Sequence, residues 1–280
     1  MNKLPAREGF SRAQRCRLSF VLWCAMIVTV GETNAIAQGF AAMISPPRVE
    51  VSVKPGEKSR QVLEITNASS QSAKYFFKSA DWTLDKTGGV TFDESMPVGS
   101  CRPWVAIEKR EITVSGGGKY RYRFEVAVPA DAAPGECRFA LLIEGEAQAV
   151  RAPNGPAIPM SGRIGIIVYV TVGGASPQLD VVSAQVASIN GEPTPVLQVR
   201  NTGNAHGRLD GFLSGTDASG KKLEFTVSTL PVLPGETRTI SLTVTRGERD
   251  APDKIAYPIT IRGNLEWTGK TIPFEQRFSP

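Results

Sequence analysis

The sequence predicts an all-β protein built from two β-sandwich domains in tandem. Three observations lead to this prediction. Apolar and polar residues alternate over many short segments, Pro-Gly turns separate these segments, and the apolar spacing of an amphipathic helix is missing from the sequence after its first 37 residues. A period of two is typical of a strand with one face on a core and the other in water. Many short strands between such turns predict sandwiches.

Residues 1–37 are predicted to be a cleaved export signal. Five basic residues precede an apolar run over 18–30, and the small-x-small motif Ala35-Ile36-Ala37 follows it. The run is shorter than the ~20 residues that cross a bilayer as a helix. An uncleaved membrane anchor is the alternative. No second run approaches that length, so no membrane span is predicted after residue 37.

Charge gives no indication of a nucleic-acid partner. The chain has 32 Lys and Arg against 27 Asp and Glu. Five of the basic and two of the acidic residues lie in 1–37, so the remainder is close to neutral. We find no cluster of Lys and Arg, and no basic strand with interspersed aromatic residues, of the kind that binds nucleic acid.

The residues after the signal divide into two predicted domains, 38–173 and 174–280, which are of ordinary domain size. The boundary is placed at the small residues of 173–177. A weak internal repeat supports two copies of one architecture. Pro-Gly turns at 54–57 and 233–236 precede strands, as does a third at 133–136, and Pro then Gly suits a type II turn. In addition, the segments 63–67 and 197–201 each end a strand in Asn.

Strands are predicted wherever alternation or β-branched and aromatic residues dominate. In chain order these segments are 60–66, 74–82, 119–128, 137–143, 164–172, 196–200, 239–245 and 257–267. The segment 148–162 contains three prolines and is predicted to be a long connection without strands, which is unusual in a sandwich.

Two cysteines remain after the signal, Cys101 and Cys137. In an oxidising compartment this pair is expected to form a disulfide. Two buried free thiols are the alternative.

Residues for catalysis or metal binding are sparse, so the sequence predicts no enzyme, no metal site and no cofactor. The single histidine, His206, lies in a predicted turn and is expected to be solvated. One histidine and a paired set of cysteines do not make a usual zinc site, and no Gly-x-Ser-x-Gly motif supplies a nucleophile. Carboxylates that converge in space for sugar hydrolysis remain a remote alternative.

Several motifs resemble a known family. They are Ile44-Ser-Pro-Pro-Arg-Val-Glu-Val51, Leu63-Glu-Ile-Thr-Asn67, Ala80-Asp-Trp82, Pro103-Trp104 and Gly165-Ile-Ile-Val-Tyr-Val170. Over roughly residues 40–173 the chain resembles the N-terminal domain of PapD-like periplasmic pilus chaperones, which are tandems of immunoglobulin-like sandwiches. The second domain is similar to their C-terminal domain more loosely.

The resemblance implies a mechanism and site residues. A strand of such a chaperone completes the sandwich of a pilin subunit, and two basic residues hold the subunit's terminal carboxylate. The first basic residue matches Arg48. The second, a lysine, aligns with Gly165, and we expect Arg163 to replace it. Ile158, Met160, Ile164 and Ile166 match the donor segment. The alternative for Arg48 is an ordinary surface arginine.

Two functions are therefore expected. The first is a periplasmic chaperone-like protein whose partners are pilin-like or other exported subunits, together with an outer-membrane usher. The second is a structural or adhesive envelope protein whose sandwiches present loops to a protein or a polysaccharide. If Arg48 and Arg163 converge in a cleft between the domains, the first function is favoured. If the two arginines lie apart in an extended tandem, the second is favoured.

Overall fold

The computed structural model describes residues 40–151, 155–245 and 254–280. The predicted signal, residues 1–37, lies outside the described residues. Within them the only helical element is the single 3-10 turn Arg102–Trp104, and every other regular element is a strand. The prediction of an all-β fold is therefore confirmed. Two separate apolar cores, one before residue 173 and one after residue 178, give two sandwiches.

The first sandwich packs two sheets over one core. Its strands are β1 (Ala42–Ser45), β2 (Arg48–Val53), β3 (Lys58–Asn67), β4 (Ala73–Leu84), β5 (Val90–Asp93), β6 (Val105–Ile107), β7 (Glu111–Val114), β8 (Lys119–Ala127), β9 (Gly135–Gly145), β10 (Gln148–Arg151), β11 (Ala157–Met160) and β12 (Arg163–Val172). One sheet has the order β1-β3-β8-β6. The other has the order β2-β12-β9-β4-β5, and β7 also pairs with β4. The chain changes sheets between β1 and β2, because β1 pairs with β3 and β2 runs parallel to β12.

The alternation in β8 explains how the first core forms. Tyr122, Phe124 and Val126 are buried, while Arg121 and Arg123 are exposed. The opposite sheet contributes the inward residues of β9 and β12 to the same core. The ring of Phe77 stacks on that of Tyr122, with centroids 3.9 Å apart. Burial of aromatic side chains of this size is the main source of stability in such a core.

The connection 148–162 differs from the prediction. Its two ends form a small antiparallel ribbon, in which β10 pairs with β11 and Val150 lies opposite Ile158. The prolines misled the prediction because proline is tolerated in a strand that has a free edge. Pro159 occupies such a strand, opposite Ala149.

The second sandwich is formed by β13 (Leu179–Ile189), β14 (Glu192–Asn201), β15 (Asp210–Thr216), β16 (Lys222–Val227), β17 (Thr237–Val244), β18 (Ile259–Trp267) and β19 (Lys270–Phe278). Their order is β13-β14-β17-β16-β15-β18-β19. The strand β17 is shared, because residues up to Ser241 pair with β14 and residues from Leu242 pair with β16. The chain between the two sandwiches, residues 173–178, carries no strand.

Two of the three Pro-Gly turns behave as predicted. Gly56 and Gly235 have φ values of 78° and 77°, and in each turn the N–H of the fourth residue donates to the C=O of the first at 3.0 Å. The third turn prediction is wrong, because Gly135 is already part of β9 and lies opposite Val172.

The repeated asparagines, Asn67 and Asn201, are fully buried at the ends of β3 and β14. Each side chain connects backbone groups of neighbouring loops. The Asn67 amide donates to the C=O groups of Gln71 and Val114, and Asn201 makes the equivalent bonds in the second sandwich. Buried backbone groups require such partners, so the repeat marks one structural corner in each sandwich.

A disulfide joins Cys101 to Cys137, with their Cα atoms 6.0 Å apart. This confirms the pairing expected from the sequence and excludes the alternative of two free thiols for this structure. The bridge attaches the turn Arg102–Trp104 to β9. In the part of the chain that the structure describes, we find no helix with the length and apolar character needed to cross a membrane.

Candidate functional site

The N-terminal end of β12 forms a free sheet edge. The strand β2 pairs with β12 only from Ile167 to Val172. On that side, residues 163–166 have no strand partner within the described ranges, although β9 pairs with them on the other side. An edge with unpaired N–H and C=O groups is a template for another strand. We call residues 163–166 the free edge.

The register shows which backbone groups point outward at the free edge. The N–H of Gly145 donates to the C=O of Gly162 at 3.0 Å. Because hydrogen-bonded and non-bonded pairs alternate in an antiparallel ladder, Ile164 and Ile166 also bond to β9. The N–H and C=O groups of Arg163 and Gly165 therefore point away from β9, toward the side on which an added strand would lie.

The four residues that match the donor segment lie in two different environments. Ile158 and Met160, on β11, are 55% and 59% exposed. Ile164 is only partly buried against the first core, whereas Ile166 is buried within it. In the chain, these two exposed side chains come shortly before the free edge.

Gly165, which aligns with the lysine of the family, has no space for a side chain. A Cβ atom there would lie 2.1 Å from the ring of Phe92 on β5. Phe92 packs with Trp82 and Ile167 on a small apolar cluster over the outer face of the sheet. The glycine is therefore explained by packing, and a lysine at this position would require Phe92 to move.

Arg163 lies within a network of four charges. Its guanidinium makes ion pairs with Glu94 and Glu144, and Lys78 pairs with the same two carboxylates at 2.8 and 3.1 Å. The lysine holds the pKa of Glu94 below its usual value. Because two cations face two anions, the network has little net positive charge with which to attract a further carboxylate.

Arg48 begins β2, and its guanidinium pairs with Glu50 at 2.6 Å. In the parallel register Arg48 lies opposite Ile167, which is four residues from Arg163. At about 3.3 Å per residue this separates the two arginine positions by about 13 Å along β12. The structure therefore does not bring Arg48 and Arg163 together.

The sandwiches nevertheless meet beside Arg48, and the prediction of a solvated His206 is wrong. Its side chain is only 9% exposed and stacks on Tyr169 of β12, with ring centroids 3.7 Å apart. Its Nδ1 lies 2.5 Å from the Glu136 carboxylate, and its backbone N–H donates to the same oxygen at 2.9 Å. We call Glu50, Glu136, Tyr169, His206 and Arg208 the interdomain junction.

Charge complementarity continues around this junction. Nε2 of His206 lies 3.6 Å from Glu50, and Arg208 donates to the Tyr169 hydroxyl at 3.2 Å. The neighbouring His206, with a further contribution from Arg48, lowers the pKa of Glu50 to about 2. No local sequence pattern predicts this cluster, because its members lie far apart in the chain.

A second contact joins the sandwiches at the β4–β5 turn. Arg238 of β17 is almost fully buried and donates to the backbone C=O of Asp85 at 2.7 Å. The side chain of Leu230 lies against Gly88 in the same turn. Two separated contacts restrict rotation between the sandwiches, so the tandem is docked rather than extended.

A cavity of about 480 Å³ lies next to the disulfide, lined by Trp82, Trp104 and Arg138 among others. The guanidinium of Arg138 lies over the Trp82 ring, 5.7 Å from its centroid. Within the described residues, no group of three or more His, Cys, Asp or Glu side chains is placed to hold a metal ion.

Comparisons with known proteins give similarity at the level of solved structures only. No family model matches the chain, and no curated protein matches it. The YadV chaperone is 10% identical, over 85% of this chain and 99% of that one, with a TM-score of 0.46. The Pseudomonas aeruginosa CupB2 chaperone is 12% identical, over 85% and 100%, with a TM-score of 0.45.

A third similar structure is the E. coli chaperone DraB, which is 14% identical over 86% of this chain and 98% of that one, with a TM-score of 0.44. Because the TM-scores lie below 0.5, we draw no function from these similarities.

Proposed function

We propose that the protein is a periplasmic chaperone-like protein that binds exported β-rich subunits, such as pilins, by strand addition at the free edge. The observation that carries this proposal is the set of outward-pointing backbone groups of Arg163 and Gly165, which β2 leaves unpaired. Backbone hydrogen bonds would supply affinity. The exposed Ile158 and Met160 would supply apolar contacts to alternate side chains of the client.

The test of strand addition uses a synthetic ten-residue peptide with valine and phenylalanine at alternate positions. When this peptide binds, the amides of Arg163 and Gly165 should become protected from hydrogen exchange. The amides of Ile164 and Ile166 serve as internal controls, because their bonds to β9 protect them already. Binding without new protection at Arg163 and Gly165 would show that the client contacts another surface.

Met160→Asp is expected to weaken binding of this peptide about tenfold. Full burial of a methionine side chain contributes about 1.5–3 kcal/mol, and part of the Met160 side chain is already buried without a client. The matched control is Met96→Asp, because Met96 is equally exposed, at 59%, but lies in the loop after β5. Fluorescence titration gives both dissociation constants. Equal effects of the two variants would contradict the proposed surface.

Arg48 is proposed to hold the client's terminal carboxylate. The Arg48→Ala variant should then weaken binding of a peptide with a free C-terminus by ten- to a hundredfold, since hydrogen bonds to charged groups contribute about 1.5–3 kcal/mol. Binding of the amidated peptide should scarcely change. The Arg48 side chain is 45% exposed, so the melting temperature should not move.

Arg163→Ala tests the second proposed anchor. The Arg163 side chain is 44% exposed, which matches the exposure of Arg48. If Arg163 assists Arg48, this substitution should also weaken binding of the free peptide and leave binding of the amidated peptide unchanged. If neither substitution weakens binding of the free peptide more than that of the amidated peptide, carboxylate anchoring is wrong for this protein.

An alternative function is a structural or adhesive envelope protein. The separation of Arg48 from Arg163 favours it, and so does the loop after β5, where Val98 is fully exposed. In that case the loops at the ends of the sandwiches would contact a protein or polysaccharide, and the free edge would remain unoccupied. Substitution of Val98 by Asp would then reduce adhesion, while peptide binding at the free edge would not be detected.

A further inference from the structure

His206 is the single histidine of the chain. Each of its two ring nitrogens faces a carboxylate of the first sandwich. Glu136 on β9 lies against Nδ1 at 2.5 Å, and Glu50 on β2 lies 3.6 Å from Nε2. A neutral imidazole has one N–H donor, whereas the protonated ring has two. Only the protonated ring has an N–H on both nitrogens and a positive charge that attracts both carboxylates.

We infer that His206 is a pH-dependent latch between the two sandwiches, which holds them docked when its ring is protonated and loosens them when it is not. The latch is a property of the interdomain junction and does not rest on the proposed binding of clients.

Besides the two carboxylates, a tyrosine and three arginines lie around His206. The stacked Tyr169 on β12 is neutral below pH 10, and burial raises the pKa of its hydroxyl further. Arg208, from the same loop as His206, and Arg48 on β2 both lie close to Glu50. On β9, Arg138 lies 3.8 Å from the second oxygen of Glu136.

Glu136 makes the junction sensitive to the charge of His206. Its side chain is 1% exposed, and its second oxygen has no hydrogen-bond partner among the described residues. A buried carboxylate without a partner is costly. Deprotonation of His206 therefore removes a positive charge that stabilises the buried Glu136 carboxylate. Separation of the two sandwiches would then expose this carboxylate to water, which can solvate it.

The direction of the pH dependence follows from the pKa changes. Burial lowers the pKa of His206, but the hydrogen bond with Glu136 and the charge attraction of Glu136 and Glu50 outweigh it, so the pKa is raised above 6.5. The contribution of His206 to docking is complete below pH 6.5 and is lost as the pH rises through the raised pKa. The contribution of Glu50 is complete above pH 4.5 and is lost as the pH falls toward 2. The latch is thus complete between pH 4.5 and 6.5.

The test uses the full chain, because the only histidine gives one resolved imidazole signal in proton NMR. A titration of that signal should give a pKa above 6.5, and Glu136→Gln should lower it. Small-angle scattering and ¹⁵N relaxation should show the sandwiches tumbling together at pH 6 and with added interdomain mobility at pH 9.

His206→Phe keeps a ring against Tyr169 but removes the charge, so its interdomain mobility should be high at both pH values. The latch is overturned if His206 titrates at or below pH 6.5, or if mobility in the unmodified chain is the same at pH 6 and pH 9. Should the phenylalanine variant fail to fold, these two measurements on the unmodified chain still decide the inference.

Discussion

The double substitution Cys101→Ala and Cys137→Ala should lower the free energy of unfolding by about 4 kcal/mol. The bridge closes a loop with a sequence separation of 36 residues, and the chain-entropy model gives a stabilisation of this size for such a loop. Without the bridge the unfolded chain gains the freedom of that loop. Urea unfolding followed by circular dichroism measures the difference.

Reduced unsubstituted protein is the control for the loss of the two sulfur atoms, because it lacks the crosslink but keeps both side chains. Its unfolding midpoint should lie close to that of the double variant. Thiol labelling of the denatured, unreduced protein without residues 1–37 should give no signal. Two reactive thiols per chain, or an unchanged midpoint after reduction, would show that the bridge does not stabilise the fold.

Asn201→Ala is expected to lower the free energy of unfolding by about 3 kcal/mol. The Asn201 amide donates to the buried C=O groups of Ala205 and Val232, both at 2.8 Å. Its side-chain oxygen accepts from the N–H groups of Gly203 and Gln178. Alanine leaves four backbone groups without these partners, at about 1–3 kcal/mol for each group that water cannot reach.

Asn204→Ala is the matched control in the same loop. Its side-chain oxygen accepts one exposed hydrogen bond, from the N–H of Ser176 at 2.9 Å, so the expected loss is below about 1 kcal/mol. Thermal unfolding of both variants gives the comparison. Equal losses would mean that the corner formed by Asn201 is not a stabilising feature of the second sandwich.

Local patterns were sufficient to predict several of the strands. Alternation over 119–128 and 239–245 corresponds to β8 and β17, and runs of β-branched residues correspond to β9 and β12. The strands β5 and β11 were not predicted; each has only four residues, and a pattern of period two is hardly measurable over that length. The longer strands β13, β15, β16 and β19 were not predicted either.

The family resemblance implied Arg48 as a carboxylate anchor and Ile158 and Met160 as donor-segment residues, and these roles stay predictions. The structure shows that all three side chains are exposed. The resemblance also placed Arg48 and Arg163 together, but their separation depends on the register between β2 and β12. Register is set by how two distant strands pair, so it cannot be predicted from the sequence of either strand alone.

By itself, the sequence determined the all-β class, the two sandwiches and the single possible disulfide of residues 38–280. Side-chain alternation and cysteine count are properties of short segments or of composition, and they need no knowledge of distant contacts. Only the tertiary structure decided the burial of His206, the contact of Phe92 over Gly165 and the free edge of β12. Each of these depends on residues that are far apart in the chain and are brought together by packing of the sheets and docking of the sandwiches.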